Sequence, residues 1–429
     1  MLTAASFVFL MTPAVAFFYG GMCRSKSILN MLMLSTGAMV VVAVIWPLWG
    51  WSIAYGTEDV AGIFNNPFES FLLSGVIESD GGVFTSIPAE NAAAYASSID
   101  VAFQITFAMI TVALISGAIA ERVKFSTWMV FVSLWITLVY SPVAHMVWGG
   151  GLLSSAQNSL TSLIFGGFGT GDDFTANVAP HDFAGGTVVH INAGIAALVI
   201  VLIIGKRKGF TKEPTRPHNV PFVMLGAFLL WFGWFGFNAG SAFGANGTAG
   251  YAWVSTTAAT GAAALGWLIT ERLRYGKFTS LGAASGIVAG LVAITPAADV
   301  VSPGFALLLG VIAGAICCLA VGLKYKFQFD DSLDVVGVHF TGGLIGTIAI
   351  GFFAVDTGLL YSGSVNQLLA QVIVTLVTII YSMVVTAIIA FILERTVGWR
   401  ISKGDEMAGI DYADHGETAY DFVQASTRA

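Results

Sequence analysis

Eleven apolar stretches, each long enough to cross a lipid bilayer, leave this chain few folds to choose from. They fall at 2–22, 29–54, 98–120, 126–148, 184–205, 219–242, 252–271, 280–296, 303–323, 335–354 and 368–393. A hydrocarbon core about 30 Å thick takes about 20 apolar residues in a helix. Backbone inside it must satisfy its own hydrogen bonds, so such stretches span as helices. The basic residues test the count: all 18 lie in alternate gaps or in the tail. Arg24 and Lys26 follow the first stretch, and Arg122 and Lys124 the third. Lys206, Arg207, Lys208, Lys212 and Arg216 follow the fifth. Arg272, Arg274 and Lys277 follow the seventh, and Lys324 and Lys326 the ninth. Arg395, Arg400, Lys403 and Arg428 follow the eleventh. Excess Lys and Arg mark the cytoplasmic side, so the N-terminus is expected outside and the C-terminus inside. One span more or fewer would scatter these charges over both faces.

The expected fold class is therefore an all-α polytopic membrane protein. Its charged fraction, 10%, is far below the roughly 25% of a soluble chain. A net charge of −7 says little about nucleic acid, because the basic residues sit in short clusters between spans; no nucleic-acid partner is expected, and membrane lipid is the expected surrounding. The first stretch lacks a basic n-region and a convincing small-residue cleavage site, so it reads as a retained span. Two outer segments are long. The first, roughly 55–97, holds Glu58, Asp59, Glu69, Glu78, Asp80 and Glu90 and no basic residue; the second, roughly 149–183, holds Asp172, Asp173 and Asp182. Acidic outer segments concentrate cations, although exposed charge is ordinarily just solvated surface.

Within the fifth stretch, DFAGGTVVHINAGIAALVI places Asp182 eight residues before His190, with Gly194 four further on. The tenth repeats this spacing with Asp331, His339 and Gly343. Five spans separate the two, so the halves 1–205 and 219–354 enter the membrane in opposite directions, as in transporters with inverted repeats and a site near the midplane. The span at 368–393 is then an addition. An ionisable group inside a span is costly and usually faces a pathway or a partner. Opposed halves bring His190 and His339 to similar depth, where each ring can donate at one nitrogen and accept at the other. Asp182 stands at a helix start, where a carboxylate accepts free backbone N–H groups. Asp331 and Asp334 are expected to play the mirrored part.

Other chemistry is poorly served. There is no HExxH pattern, and no carboxylate or cysteine at ligand spacing to either histidine, so neither a metal nor another cofactor is expected. GxSxG with a matched His and Asp is also missing, which argues against a hydrolase. Cys23, Cys317 and Cys318 fit neither a disulfide framework nor a zinc cluster. Aromatic residues cluster at Phe103 and Phe107, at Trp148, and along WFGWFGFN at 231–238. Ring faces attract ammonium-type cations, while single rings in membrane spans most often serve packing or the interfacial belt.

These motifs carry a resemblance. DFAGGTVVHINAGIAALVI, AHMVWGGGLL (144–153), TFAMITVALISGAIAERVKFS (106–126), WFGWFGFNAGSA (231–242) and DDSLDVVGVHFTGGLIG (330–346) resemble, in order and over essentially the whole chain, the bacterial ammonium transporters, the Amt branch of the Amt/Mep/Rh family. The resemblance implies an ammonium transporter of the cytoplasmic membrane, not an enzyme. It implies an outer site made by Trp148, Phe107 and Ser241 with the Ala184 carbonyl nearby. Phe107 and Phe237 would form a gate supported by Phe103. His190 and His339 would be paired in the pore with Trp234 beside them, and Asp182 would be a buried acid shaping the mouth. It further implies a homotrimer with one pore per subunit. DYADHGETAY (411–420) resembles the family's cytoplasmic tail, on which PII-type regulatory proteins dock, so 1–396 reads as the membrane domain and 397–429 as a regulatory tail. From composition alone the tail reads as disordered and polar. The rival function is an ammonium sensor that signals through this tail.

Overall fold

The computed structural model describes residues 1–80, 83–86, 95–212 and 216–420. Glu90 and Arg428 of the sequence reading lie outside them. Among the described residues eleven helices are long and apolar enough to cross a membrane: Leu2–Met22, Ile28–Tyr55, Ser97–Ile119, Phe125–Trp148, Gly186–Ile204, Val220–Ala239, Gly247–Tyr275, Ser280–Ala297, Pro303–Phe327, Val336–Phe353 and Asn366–Thr396. They are numbered here as spans 1 to 11. Most bounds agree with the apolar windows within a few residues. Span 7 is longer than its window at both ends, because polar and charged residues continue the helix beyond the hydrophobic core.

Small residues set the packing. Span 1 lies along span 6, and a Cβ on Gly226 would stand 2.7 Å from the Phe18 Cα. Span 8 fits against span 7 at Gly286 and Gly290, whose added Cβ atoms would meet Ala264 Cα at 2.9 Å and Thr260 Cα at 2.8 Å. Such close backbone approach is how helices associate where lipid supplies no hydrophobic drive. Gly282, from the same spacing, serves another contact: it abuts the Glu271 carboxylate.

Spans 5 and 10 are built alike and cross each other. Each opens in a wide π-helical turn, Gly186–Ile191 and Val336–Phe340, before continuing as α-helix. Each has a left-handed residue three positions after its aspartate: Gly185 at φ 113° and Asp334 at φ 65°. The contact is reciprocal. A Cβ on Gly194 would meet Phe340, next to His339, at 2.6 Å, and one on Gly343 would meet the His190 Cβ at 3.0 Å. Turns with an inserted residue often mark functional sites; here each carries a buried histidine. Span 11 packs on spans 5 and 10, outside this crossing.

Candidate functional site

The Asp182 carboxylate holds the unwound start of span 5. Its oxygens accept from the backbone N–H groups of Gly185 (3.0 Å), Gly186 (2.5 Å), Thr187 (2.9 Å) and Val188 (3.1 Å), and from the Thr187 hydroxyl. These are the donors a helix start leaves without intrahelical partners. Asp182 is thus a cap, and its backbone carbonyl is free to accept from Trp148 Nε1 at 2.8 Å. Asp331 does the matching work for span 10, accepting from Val335 N (3.0 Å) and Val336 N (2.7 Å). Asp334 is not a second cap; its carboxylate pairs with Lys324 at 2.7 Å.

Aromatic rings stack beside the Asp182 cap. Trp148 meets Phe107 edge-on at 6.0 Å between centroids, and Phe103 supports Phe107 at 4.8 Å. Phe107 and Phe237 then lie almost face to face, 4.2 Å apart at 24°. Phe237 sits on a π-helical turn, Phe235–Ala239, whose wide pitch turns it inward. Ser241 follows it, its hydroxyl donating to the Phe237 carbonyl at 2.9 Å. Both phenylalanines are at 1% exposure or less. The backbone of Ala184 lies between the Asp182 cap and Gly185, and the residue is fully buried.

Beneath the rings a narrow cavity is lined by Trp234, Phe237, Leu114, Val288, His190 and His339 among others. His190 stacks on Trp234 (5.5 Å, 13°) and on His339 (5.4 Å, 18°). Trp234 is held from behind, its indole N–H donating to Thr295 Oγ1 at 2.8 Å. The two Nδ1 atoms of the histidines are 3.3 Å apart.

The proton order in this pair follows from Tyr19, a residue the sequence reading passed over. The Tyr19 hydroxyl donates its one proton to the Leu114 carbonyl at 3.2 Å. It can therefore only accept from His339 Nε2, 3.5 Å away. With neutral rings, His339 Nδ1 is then the acceptor and His190 Nδ1–H the donor. His190 Nε2 is left buried with a free lone pair and no partner among the described residues. The only sign of Tyr19 in the sequence is a polar ring before Gly20–Gly21. Its room comes from Gly117, where a Cβ would stand 2.6 Å from the Tyr19 ring.

The end beside the Asp331 cap is ionic. Arg122, fully buried, donates to Ser332 Oγ (2.7 Å), to the Asp330 carbonyl (2.7 Å) and to the Ala118 carbonyl (3.1 Å). Arg207 bridges Asp330 (2.9 Å) and Glu121 (3.0 Å). Burial would raise the Asp330 carboxyl, but the Arg207 hydrogen bonds and the Arg122 charge outweigh it and hold the group below its usual range. Burial lowers Arg122 to about 10. Asp331, dry and beside Asp334, is raised to about 6 even with Lys324 close by. An open cavity lies beside this network.

The tail is ordered where the structure describes it, unlike the composition-based reading. Asp411 accepts from Leu29 N (3.1 Å) and Asn30 N (2.8 Å) at the start of span 2. Asp414 accepts from Phe125 N at the start of span 4 (2.7 Å), and Glu406 accepts from Lys208 N (2.6 Å). Helix starts attract carboxylates, and here the carboxylates come from distant sequence. Among the described residues no group of three or more His, Cys, Asp or Glu could hold a metal.

Paired buried histidines beneath stacked aromatic rings, within eleven helices of membrane-spanning length, are the features of a membrane transporter. The family model "Ammonium Transporter Family" matches residues 1–420. An ammonium transporter of Mycobacterium bovis is 51% identical over 99% of this chain and 90% of its own length. The crystal structure of Candida albicans Mep2 matches with a TM-score of 0.81 at 32% identity, covering 97% of this chain and 89% of that one. A solved "Sensor Amt Protein" also matches, with a TM-score of 0.81 at 25% identity over 96% of each chain. The chain belongs to the Ammonium Transporter Family. It is a multi-pass membrane protein that transports ammonium.

Proposed function

We propose that the protein takes up ammonium through this line of residues, selecting the cation outside and passing it onward as ammonia. Ammonium and potassium have nearly the same radius, so size cannot separate them. Hydrogen-bond direction and the ability to shed a proton can. At the outer mouth, the faces of Trp148 and Phe107 attract the cation, and the Ser241 hydroxyl and the Ala184 carbonyl accept its N–H groups. Asp182 shapes this mouth as a cap. Phe107 and Phe237, with Phe103 behind, part to admit the solute. Carrying a charge through a dry passage costs several kcal/mol or more, so the proton leaves near the ring gate and ammonia goes on. Trp234 and the two histidines line its way. Ammonia then gains a proton on the inner side. A proton hopping separately along His190 and His339 would make uptake electrogenic.

The observation that carries this reading is the ordered pair of imidazoles with a free His190 Nε2 acceptor directly under the stacked phenylalanines. An entering N–H donor meets a lone pair there, and potassium has none to offer. The test is a reconstituted protein in which ammonium-evoked current is measured against potassium. Joint replacement His190→Ala and His339→Ala must alter flux or potassium exclusion; if both stay unchanged, the histidine role is wrong.

The reading extends to topology and assembly. The N-terminus lies outside and the C-terminus in the cytoplasm, because the 18 basic residues share one face. The membrane is the cytoplasmic (inner) membrane. Residues 1–205 and 219–354 form inverted repeats, span 11 is added, and 397–429 is a regulatory tail. Three subunits assemble, each with its own pore, and a PII-type protein docks on the tail. The sensor reading is the second one, favoured by a tail that caps spans 2 and 4. Truncating the tail separates them: a transporter keeps its flux, and a sensor loses its output.

A further inference from the structure

The two aspartates that cap spans 5 and 10 each offer a free backbone carbonyl, and each carbonyl is met by a side chain from the end of another span. Outside, Trp148, the last residue of span 4, donates its indole N–H to the Asp182 carbonyl at 2.8 Å. Inside, Lys324, in the last turn of span 9, donates its ammonium N–H to the Asp331 carbonyl at 3.0 Å. Spans 4 and 9 are fourth in their respective halves, so these are matched positions. The partner has changed from a ring to a cation. A lysine head group is an alkylated ammonium ion: it carries the same charge and the same tetrahedral set of N–H donors. This one is 7% exposed, pairs with Asp334 at 2.7 Å and faces the inner cavity.

We propose that Lys324 is a tethered ammonium that stands at the inner mirror image of the Trp148 position. Ammonium from the cytoplasm then meets a fixed positive charge where the outer mouth offers a ring. The surroundings act in the same sense. The inner cavity is lined by Arg24, Arg207, Lys208, Lys212, Arg216 and Lys324 against three acids, Glu121, Asp334 and Glu406. The cavity beside Trp148 and Asp182 carries His181 but no lysine or arginine among its lining residues. The two ends are thus matched in backbone and different in charge. The consequence is a kinetic asymmetry: uptake half-saturates at low ammonium, whereas efflux needs far more. At zero membrane potential a passive carrier must keep the ratio of maximal rate to half-saturating concentration equal in both directions, so the asymmetry appears in both numbers together.

This inference rests on the outer recruitment reading, and the experiment separates the two. Labelled methylammonium uptake and efflux are measured in right-side-out and inside-out vesicles clamped at zero potential. In the unaltered protein, efflux half-saturates at a concentration at least about tenfold above uptake, the factor that one hydrogen bond to a charged group carries. Lys324→Met removes this charge and brings the efflux value down by about that factor, while Lys324→Arg keeps the asymmetry. An unchanged efflux value in a folded Lys324→Met protein overturns the proposal. The converse exchange works even if that variant does not fold: Trp148→Lys must raise the uptake half-saturation more than Trp148→Leu does. Equal effects of the two again overturn it. If Trp148→Leu leaves uptake half-saturation untouched, the outer recruitment reading has failed instead.

Discussion

The Asp182 and Asp331 ends of the molecule, outer and inner in the proposed orientation, solve one structural problem with different chemistry. Both must hold a helix that starts within the protein, and both do so with an aspartate: Asp182 outside, Asp331 inside. Around Asp182 the neighbours are rings and small residues, and one carboxylate takes four backbone donors and a hydroxyl. Around Asp331 the neighbours are Lys324, Asp334 and the Arg122–Asp330–Arg207–Glu121 network. Anchoring that is concentrated in one residue outside is spread over many inside. The lesson is that a repeated backbone motif leaves its surroundings free to diverge.

The comparison breaks most sharply at Asp182. Replacing it with Ala leaves up to four buried N–H groups without an acceptor, and each such group costs about 1–3 kcal/mol. The loss is expected to be about 3–5 kcal/mol in thermal or denaturant unfolding, with loss of uptake. Asp331→Ala strands only two and is expected to cost about half as much. Equal losses would mean that the two caps carry equal load.

Next in size is Arg122→Ala, which removes a fully buried cation from Asp330, Ser332 and two carbonyls. Breaking a buried ion pair from one side costs about 3–5 kcal/mol; the lower end is expected, since Arg207 still holds Asp330. Unfolding of the purified variant checks it. Outer flux half-saturation should move little if the two ends are as separate as their contacts.

A smaller effect tests the crossing itself. Gly194→Ala would drive a methyl against Phe340 backbone and Cβ at 2.6–2.7 Å, which cannot yield without shifting span 10. Overpacking of this kind costs about 1–3 kcal/mol, and it should also lower the ammonium current by moving His339 from His190. Gly343→Ala, whose nearest neighbours stand at 3.0 Å, is expected to do less on both measures.

The smallest effect is pH dependence, with opposite ends in different windows. Asp331 is raised to about 6 from an unfolded value of about 3.9. Its contribution is therefore present below about pH 4 and lost as pH rises through about 6. Outside, His181 meets Asp299 at 2.8 Å. Burial would lower this imidazole, but the Asp299 hydrogen bond and charge raise it overall. That contribution is complete below about 6.5, the free value, and is lost as pH rises through the higher folded one. Melting curves from pH 4 to 9 should lose the first change in Asp331→Asn and the second in Asp299→Asn.

Legibility followed the range of the interaction. Spans, their number and the matched Asp–His–Gly spacing are local patterns, and the bilayer leaves no other use for apolar runs of that length. The capping role of Asp182 was readable because its donors lie within six residues of it. Tyr19 and Lys324 were not, since their partners lie 320 and 7 residues away and only the fold reveals which atoms they meet. Lys324 shows that even a short separation hides a contact when a left-handed turn intervenes, here at Gln328. The tail misled by composition: its carboxylates look solvated until the starts of spans 2 and 4 are placed beside them.

By itself, then, the sequence determined how many times the chain crosses the bilayer and which two histidines lie deep in it, because burying apolar length and sparing ionisable groups are demands that act residue by residue. Only the tertiary structure decided that the imidazoles lie Nδ1 to Nδ1, which nitrogen is left open under the rings, and which mouth carries a ring and which a lysine. Those outcomes depend on helices crossing at glycines and on donors reaching acceptors from other spans, and such geometry has no periodicity along the chain.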